Sequence, residues 1–102
     1  QHLMFVHHVF FWMAPDATPA EKQQLENGIR SLRAIETLRM FNVGTPAETD
    51  RPVIDRSYTF SLLTVFDDAA GEKEYQVHPV HLKFIEEHKH LWTKVLIYDS
   101  VG

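Results

Sequence analysis

The sequence predicts an α+β domain with the ferredoxin-like order β-α-β-β-α-β. Three observations predict it: apolar runs typical of strands at residues 4–12, 38–43, 58–66 and 95–100, helical patterns between them, and a length of 102 residues. Chains of this order form a four-stranded antiparallel sheet with the helices on one face. A chain of this length has room for one core, and we expect a single domain over residues 4–100.

The first strand, residues 4–12, is apolar on both faces, which is typical of a strand covered on each side. By the two-residue period, one face carries Phe5, His7, Val9 and Phe11, and the other carries Met4, Val6, His8, Phe10 and Trp12. The third strand, residues 58–66, is also apolar on both faces. A second copy of the sheet is the simplest cover for the face without helices, so we expect a homodimer closed around a shared barrel.

The first helix begins at a strong start signal. Thr18 supplies an N-cap, Pro19 suits the first helical position, and Glu21 completes a capping box. The apolar stripe of this helix consists of Leu25, Ile29, Leu32 and Ile35. Gly28 lies inside the helix, where glycine is unfavourable, and this predicts close packing or pocket space beside it.

The segment between the helices predicts a strand, a loop and a second strand. Leu38, Met40 and Asn42 alternate with Arg39, Phe41 and Val43 in the second strand. Residues 44–55 contain glycine, two prolines, aspartate and threonine, and we expect a loop there. Asp67 and Asp68 are suited to cap the helix that follows the third strand.

A cluster of Tyr, His and Pro residues lies in the second helical region, at residues 75–81. Pro79 cannot continue a helix but can begin one. We therefore expect one helix to end near Val77, a break at His78, and a second helix from Pro79. The alternatives are a site that uses His78 and His81, and a pair of helices with surface histidines.

Charge and composition exclude several function classes. The net charge is −4 and no Lys/Arg cluster occurs, so we expect no nucleic-acid partner. The absence of cysteine excludes disulfides and thiolate chemistry. No apolar run is long enough to span a membrane, and residues 3–13 lack the features of a signal peptide. We expect no membrane contact and favour a cytoplasmic location.

Three stretches resemble the stress-responsive dimeric α/β-barrel domain family. They are His8-Val9-Phe10-Phe11-Trp12, Tyr75-Gln76-Val77-His78-Pro79-Val80-His81, and Leu91-Trp92-Thr93-Lys94-Val95-Leu96-Ile97-Tyr98-Asp99. The resemblance implies a homodimer whose sheets form a barrel. It also implies a small-molecule cleft between the sheet and the helices of each protomer.

The resemblance also implies candidate site residues. In the polyketide-cyclase branch of the family, the second His of the motif is the catalytic base and the Tyr assists, and these positions are His81 and Tyr75 here. The implied cleft-lining positions are His8, Phe10, Trp12, Leu25, Ile29, Leu62, Phe84, Trp92, Val95 and Ile97. Phe60 replaces a polar ring of that branch, so the cyclase substrate specificity does not transfer.

Two functions are compatible with these residues. The first is a stress-associated protein that binds a small apolar or aromatic molecule near His81 without turnover. The second is a cofactor-independent enzyme, like a polyketide cyclase or a monooxygenase, with His81 as general base, Tyr75 as hydrogen-bond donor and Asp99 holding the His81 ring. A purely structural role remains the alternative, in which His81 caps a helix, Tyr75 fills core space and Asp99 is solvated.

Metal binding is a further alternative. His78 and His81, with His7 or His8, have side chains that can ligate zinc. Their surroundings are aromatic and no carboxylate lies between them, and no flavin or haem motif is present. We therefore expect no metal and no cofactor.

Overall fold

The computed structural model describes residues 3–102. Its elements are β1 (Phe5–Trp12), α1 (Pro19–Ser31), β2 (Leu38–Gly44), β3 (Phe60–Phe66), α2 (Ala69–Val77), α3 (Pro79–His88) and β4 (Lys94–Val101), with 3-10 turns at Leu32–Ala34 and Lys89–Leu91. The strands form one antiparallel sheet in the order β2-β3-β1-β4. The helices pack on one face of this sheet, and the predicted ferredoxin-like fold is confirmed.

β1 lies at the centre of the sheet and sets which side chains meet. His7 is opposite Thr64 of β3 and Asp99 of β4, and Val9 is opposite Leu62 and Ile97. Side chains in register on neighbouring strands point to the same face. The register therefore places one row of polar groups directly beside a row of apolar groups on the helix side.

The core lies between the helices and one face of the sheet. Its buried members are Val9, Phe11, Met13, Leu25, Ile29, Leu32, Ile35, Phe60, Leu62, Phe66, Tyr75, Phe84 and Leu91. On the other face β1 is half-buried throughout. The helix-facing side of β1 is thus the odd-numbered one.

The predicted start of α1 is confirmed. The Glu21 amide donates to the Thr18 hydroxyl over 3.1 Å, and the Thr18 amide donates to the Glu21 carboxylate over 2.9 Å. Gly28 is buried, and a methyl group there would overlap the His88 ring of α3. Close packing of α3 on α1 is therefore the reason for a glycine at this position.

The break between α2 and α3 is also confirmed. His78 has φ −63° and ψ 138°, an extended conformation between the two helices. Its Nδ1 accepts from the Val80 amide over 3.1 Å and so caps α3, while its Nε2 lies 3.1 Å from a carboxylate oxygen of Glu36. The break turns the side chain of His78 away from that of His81, which bonds within the chain to Gln76.

One strand differs from its predicted alternation. The register of β2 shifts between Leu38 and Met40, so Leu38 does not share a face with Met40. Leu38 packs against the core together with Phe41 and Val43, whereas Met40 is 54% exposed. A β-bulge adds one residue to a strand, and this reverses the alternation on one side of it. No helix within residues 3–102 has the length and apolar character needed to cross a membrane.

Candidate ligand cavity

A small cavity lies between the sheet and the helices α2 and α3. It encloses about 130 Å³. Its walls are formed by His7, Val9, Phe11, Leu32, Leu62, Tyr75, Gln76, His81, Phe84, Ile85, Val95 and Ile97. Apolar walls with a few convergent polar groups are typical of a small-molecule site.

His81 has one of its two ring nitrogens fixed by the protein. Its Nδ1 lies 3.1 Å from the main-chain oxygen of Gln76. A carbonyl oxygen only accepts, so Nδ1 carries the proton and Nε2 of the neutral ring holds the lone pair. Burial lowers the pKa of His81, an effect that the Gln76 carbonyl opposes. His81 is therefore held in the neutral form that can accept a hydrogen bond or a proton.

Tyr75 places a phenol in the same cavity. Its side chain is 1% exposed and its ring packs against Phe66 and His81, with centroid distances of 5.1 and 4.8 Å. Burial, and then the nearby Glu72 carboxylate, raise the pKa of the phenol, which stays protonated. No group within residues 3–102 forms a hydrogen bond with its hydroxyl. The hydroxyl is thus a free donor in an apolar cavity.

Asp99 contacts His7 and not His81. The Nδ1 of His7 lies 2.6 Å from a carboxylate oxygen of Asp99, its partner across the β1–β4 pair. The prediction that Asp99 holds the His81 ring is wrong, because a main-chain carbonyl fills that role. His7 is 4% exposed and lines the cavity, and it was missing from the predicted site.

The predicted lining residues divide into three groups. Leu62, Phe84, Val95 and Ile97 line the cavity together with Tyr75 and His81. Leu25 and Ile29 are 0% exposed and belong to the core without reaching the cavity wall, and Trp92 packs behind the wall on Phe11 and Phe84.

The third group, His8, Phe10 and Trp12, lies on the opposite face of the sheet. Phe10 and Trp12 border a shallow depression there with Asp55, Tyr58, Leu96 and Tyr98. Nε2 of His8 lies 2.9 Å from the Ser61 hydroxyl. These three side chains therefore do not share a cleft with His81. The β1 residues that do line it are His7, Val9 and Phe11.

Two other features are less suited to be the site. A groove of about 430 Å³ lies between α1 and α3, but it is open and its residues do not include Tyr75 or His81. Phe84 separates this groove from the inner cavity. Among residues 3–102, no three His, Asp or Glu side chains come close enough to hold a metal ion together.

The family model described as the stress responsive A/B barrel domain, abbreviated Dabb, matches residues 5–101. This chain belongs to the Dabb family. No curated protein matches the chain significantly.

Solved Dabb and ferredoxin-like structures share the fold. A Dabb family protein from Mesorhizobium loti is 26% identical with a TM-score of 0.80, over 100% of this chain and 98% of that chain. A dimeric ferredoxin-like protein of unknown function from Thermobifida fusca is 20% identical with a TM-score of 0.79, over 100% and 93% of the two chains. A hydroxynitrile lyase from Passiflora edulis is 19% identical with a TM-score of 0.78, over 97% and 93%.

The stability of this Dabb chain is expected to fall on mild acidification. Burial lowers the pKa of His8 and of His81 below the ordinary value of 6.5. Below pH 6.5 the unfolded chain therefore binds more protons than the folded chain. The free energy of unfolding decreases as the pH falls, until the pH is below the pKa values of the folded state. Above pH 6.5 the two histidines are neutral in both the folded and the unfolded chain, and this loss of stability is absent.

Urea unfolding at several values between pH 7.5 and pH 5 measures this effect. His81→Gln and His8→Gln are each expected to reduce the slope of stability against pH, because glutamine does not titrate in this range. A free energy of unfolding that stays constant or rises as the pH falls from 7.5 to 5 would contradict the expectation.

Proposed function

We propose that this chain binds a small apolar or aromatic molecule with one polar group in the Tyr75–His81 cavity. The observation that carries the proposal is a pair of polar groups without partners among residues 3–102, the Tyr75 hydroxyl and Nε2 of His81, in an otherwise apolar wall. Both groups border the cavity, and a ligand there can form a hydrogen bond with each of them while its apolar part contacts the walls.

The two groups define the ligand chemistry. The Tyr75 phenol donates to a carbonyl or hydroxyl oxygen, and Nε2 of His81 accepts from a hydroxyl. A dry protein cavity of about 150 Å³ holds benzene, so a cavity of about 130 Å³ suits a single ring or a short chain. Single-ring phenols and aryl ketones combine this size with the required polar group.

Binding of phenol and acetophenone, measured by calorimetry, tests the proposal. His81→Phe should weaken phenol binding, and Tyr75→Phe should weaken acetophenone binding, each by about 2- to 10-fold, the worth of one hydrogen bond. The matched control is His90→Phe, since His90 is exposed outside the cavity. Equal affinities in all four proteins would contradict the proposed site.

A second candidate function is cofactor-independent proton abstraction from a carbon next to a carbonyl. The neutral His81, with its Nδ1 held by a carbonyl, favours it. In this step Nε2 of His81 takes the proton, the C–H electron pair forms the enolate double bond, and the Tyr75 hydroxyl donates to the enolate oxygen. The resemblance of the Tyr75–His81 motif to that of polyketide cyclases supports this chemistry, and a different lyase, a hydroxynitrile lyase, occurs among the proteins of this fold.

We also propose that the chain forms a homodimer through the sheet face without helices. The side chains of this face include Val6, His8, Phe10, Trp12, Leu63, Leu96 and Tyr98, which are half-buried or exposed in one protomer. Proteins of this fold from Thermobifida fusca and Bacteroides fragilis are dimeric. A second copy covers this apolar surface without requiring further elements.

Phe10→Glu tests the dimer. Phe10 contacts His8, Tyr58 and Tyr98 on this face, and a carboxylate there would be desolvated in a dimer. We expect sedimentation as a monomer at micromolar concentration, with the circular dichroism spectrum of the unmutated protein. The control is Val77→Glu at a 67% exposed helix position, which should remain dimeric. A monomeric unmutated protein, or a Phe10→Glu variant that remains dimeric, would contradict the proposed interface.

A further inference from the structure

Gln76 is the last-but-one residue of α2 and contacts both imidazoles of the cavity. Its main-chain oxygen lies 3.1 Å from Nδ1 of His81, and its side-chain nitrogen lies 3.3 Å from Nε2 of His7. The same side-chain nitrogen donates to the Glu72 carboxylate over 2.7 Å. One residue thus determines the hydrogen bonding of two histidines.

The direction of these hydrogen bonds follows from the chemistry of the partners. A carboxylate accepts only, so the Gln76 amide must turn its NH₂ group, and not its oxygen, toward Glu72. The second hydrogen of that group then points to Nε2 of His7. The Asp99 carboxylate accepts the hydrogen bond from Nδ1 of His7, so the proton of the neutral ring is on Nδ1 and Nε2 is an acceptor for the amide.

We infer that Gln76 is a positioning residue: its amide donates to Nε2 of His7, and this leaves His81, among residues 3–102, as the single imidazole of the cavity with a free acceptor nitrogen. The inference rests on the proposed ligand site and names its specificity: the ligand offers at most one hydrogen-bond donor to an imidazole, and His81 accepts it. Without the amide, His7 would present a second basic nitrogen to the same cavity.

The test uses ¹⁵N-histidine-labelled protein and phenol as the probe. In the unmutated protein, phenol should shift the ¹⁵N resonance of Nε2 of His81 and leave that of Nε2 of His7 unchanged. Gln76→Met keeps the length of the side chain and removes the amide. In this variant without ligand, the ¹⁵N resonance of Nε2 of His7 should move downfield, to the position of an acceptor nitrogen without a hydrogen bond. Nδ1 should stay bonded to Asp99. Phenol should then shift both Nε2 resonances.

The matched control is Gln23→Met, since Gln23 bonds only Asn27 on the exposed side of α1. It should leave both histidines unchanged. An unchanged Nε2 resonance of His7 in Gln76→Met overturns the inference, as does a phenol shift at His7 in the unmutated protein equal to that at His81.

The ligand-free comparison separates this inference from the proposed function. A result in which phenol shifts neither histidine resonance while Gln76→Met still moves the Nε2 resonance of His7 would support the contact between Gln76 and His7 but contradict the ligand site. The role of Gln76 in ligand selection would be overturned with it. If Gln76→Met does not fold, the unmutated protein decides: a phenol response confined to His81 supports the inference, and one shared with His7 overturns it.

Discussion

His81→Gln is expected to lower the rate of proton abstraction by about 100- to 10,000-fold, the usual loss on removing a general base. The reason is the fixed state of the ring, whose Nδ1 donates to the Gln76 carbonyl while Nε2 holds the lone pair. Glutamine has approximately the same size and can accept a hydrogen bond, but it does not titrate near neutral pH. Phenol binding should therefore persist in the variant.

Exchange of the α-hydrogens of acetophenone for solvent deuterium, followed by NMR, measures this rate without knowledge of the natural substrate. His90→Gln makes the same change at an exposed position and should exchange at the rate of the unmutated protein. If the unmutated protein binds acetophenone and exchanges no faster than His81→Gln, His81 is an anchor for a ligand and the enzymatic candidate fails.

Tyr75→Ala is expected to lower the free energy of unfolding by about 3–5 kcal/mol, the usual cost of removing a large buried aromatic ring. Tyr75 is 1% exposed and its ring contacts Phe66, His81 and His7. Its removal leaves a large void beside the cavity. Urea unfolding at pH 7.5 measures the loss.

Tyr75→Phe distinguishes the contribution of the hydroxyl from that of the ring, because it removes only the hydroxyl. The hydroxyl has no protein partner among residues 3–102, so its removal should leave the free energy of unfolding unchanged or raise it by about 1 kcal/mol. Acetophenone binding should still weaken. A hydroxyl that contributes to binding and not to stability is expected of a functional group. A Tyr75→Phe variant destabilised as much as Tyr75→Ala would indicate a structural hydrogen bond instead.

Local chemistry determined most elements, and these could be predicted. The Thr18 capping box, the proline at the start of α1 and the Pro79 break each have a physical cause within a few residues. The bulge in β2 could not be predicted, because it depends on pairing with β3 and has no proline or glycine to mark it.

The main error concerned which face of β1 lines the cavity, and its cause is physical. Both faces are apolar and each carries one histidine, so the period of two separates the faces without showing which one meets the helices. The burial of Val9 and Phe11 in the core against the helices decides it. By the two-residue period Asp99 shares a face with Val95 and Ile97, and its antiparallel pairing with β1 is the signal that could have found His7.

The most direct test of the ligand site is a methyl and imidazole NMR titration of the unmutated protein with phenol. We expect the largest shifts at the Leu62 and Val95 methyl groups and at Nε2 of His81, all on the cavity wall. Shifts confined to Ala34 and Val80, in the open groove between α1 and α3, or an absence of binding at millimolar phenol, would contradict it.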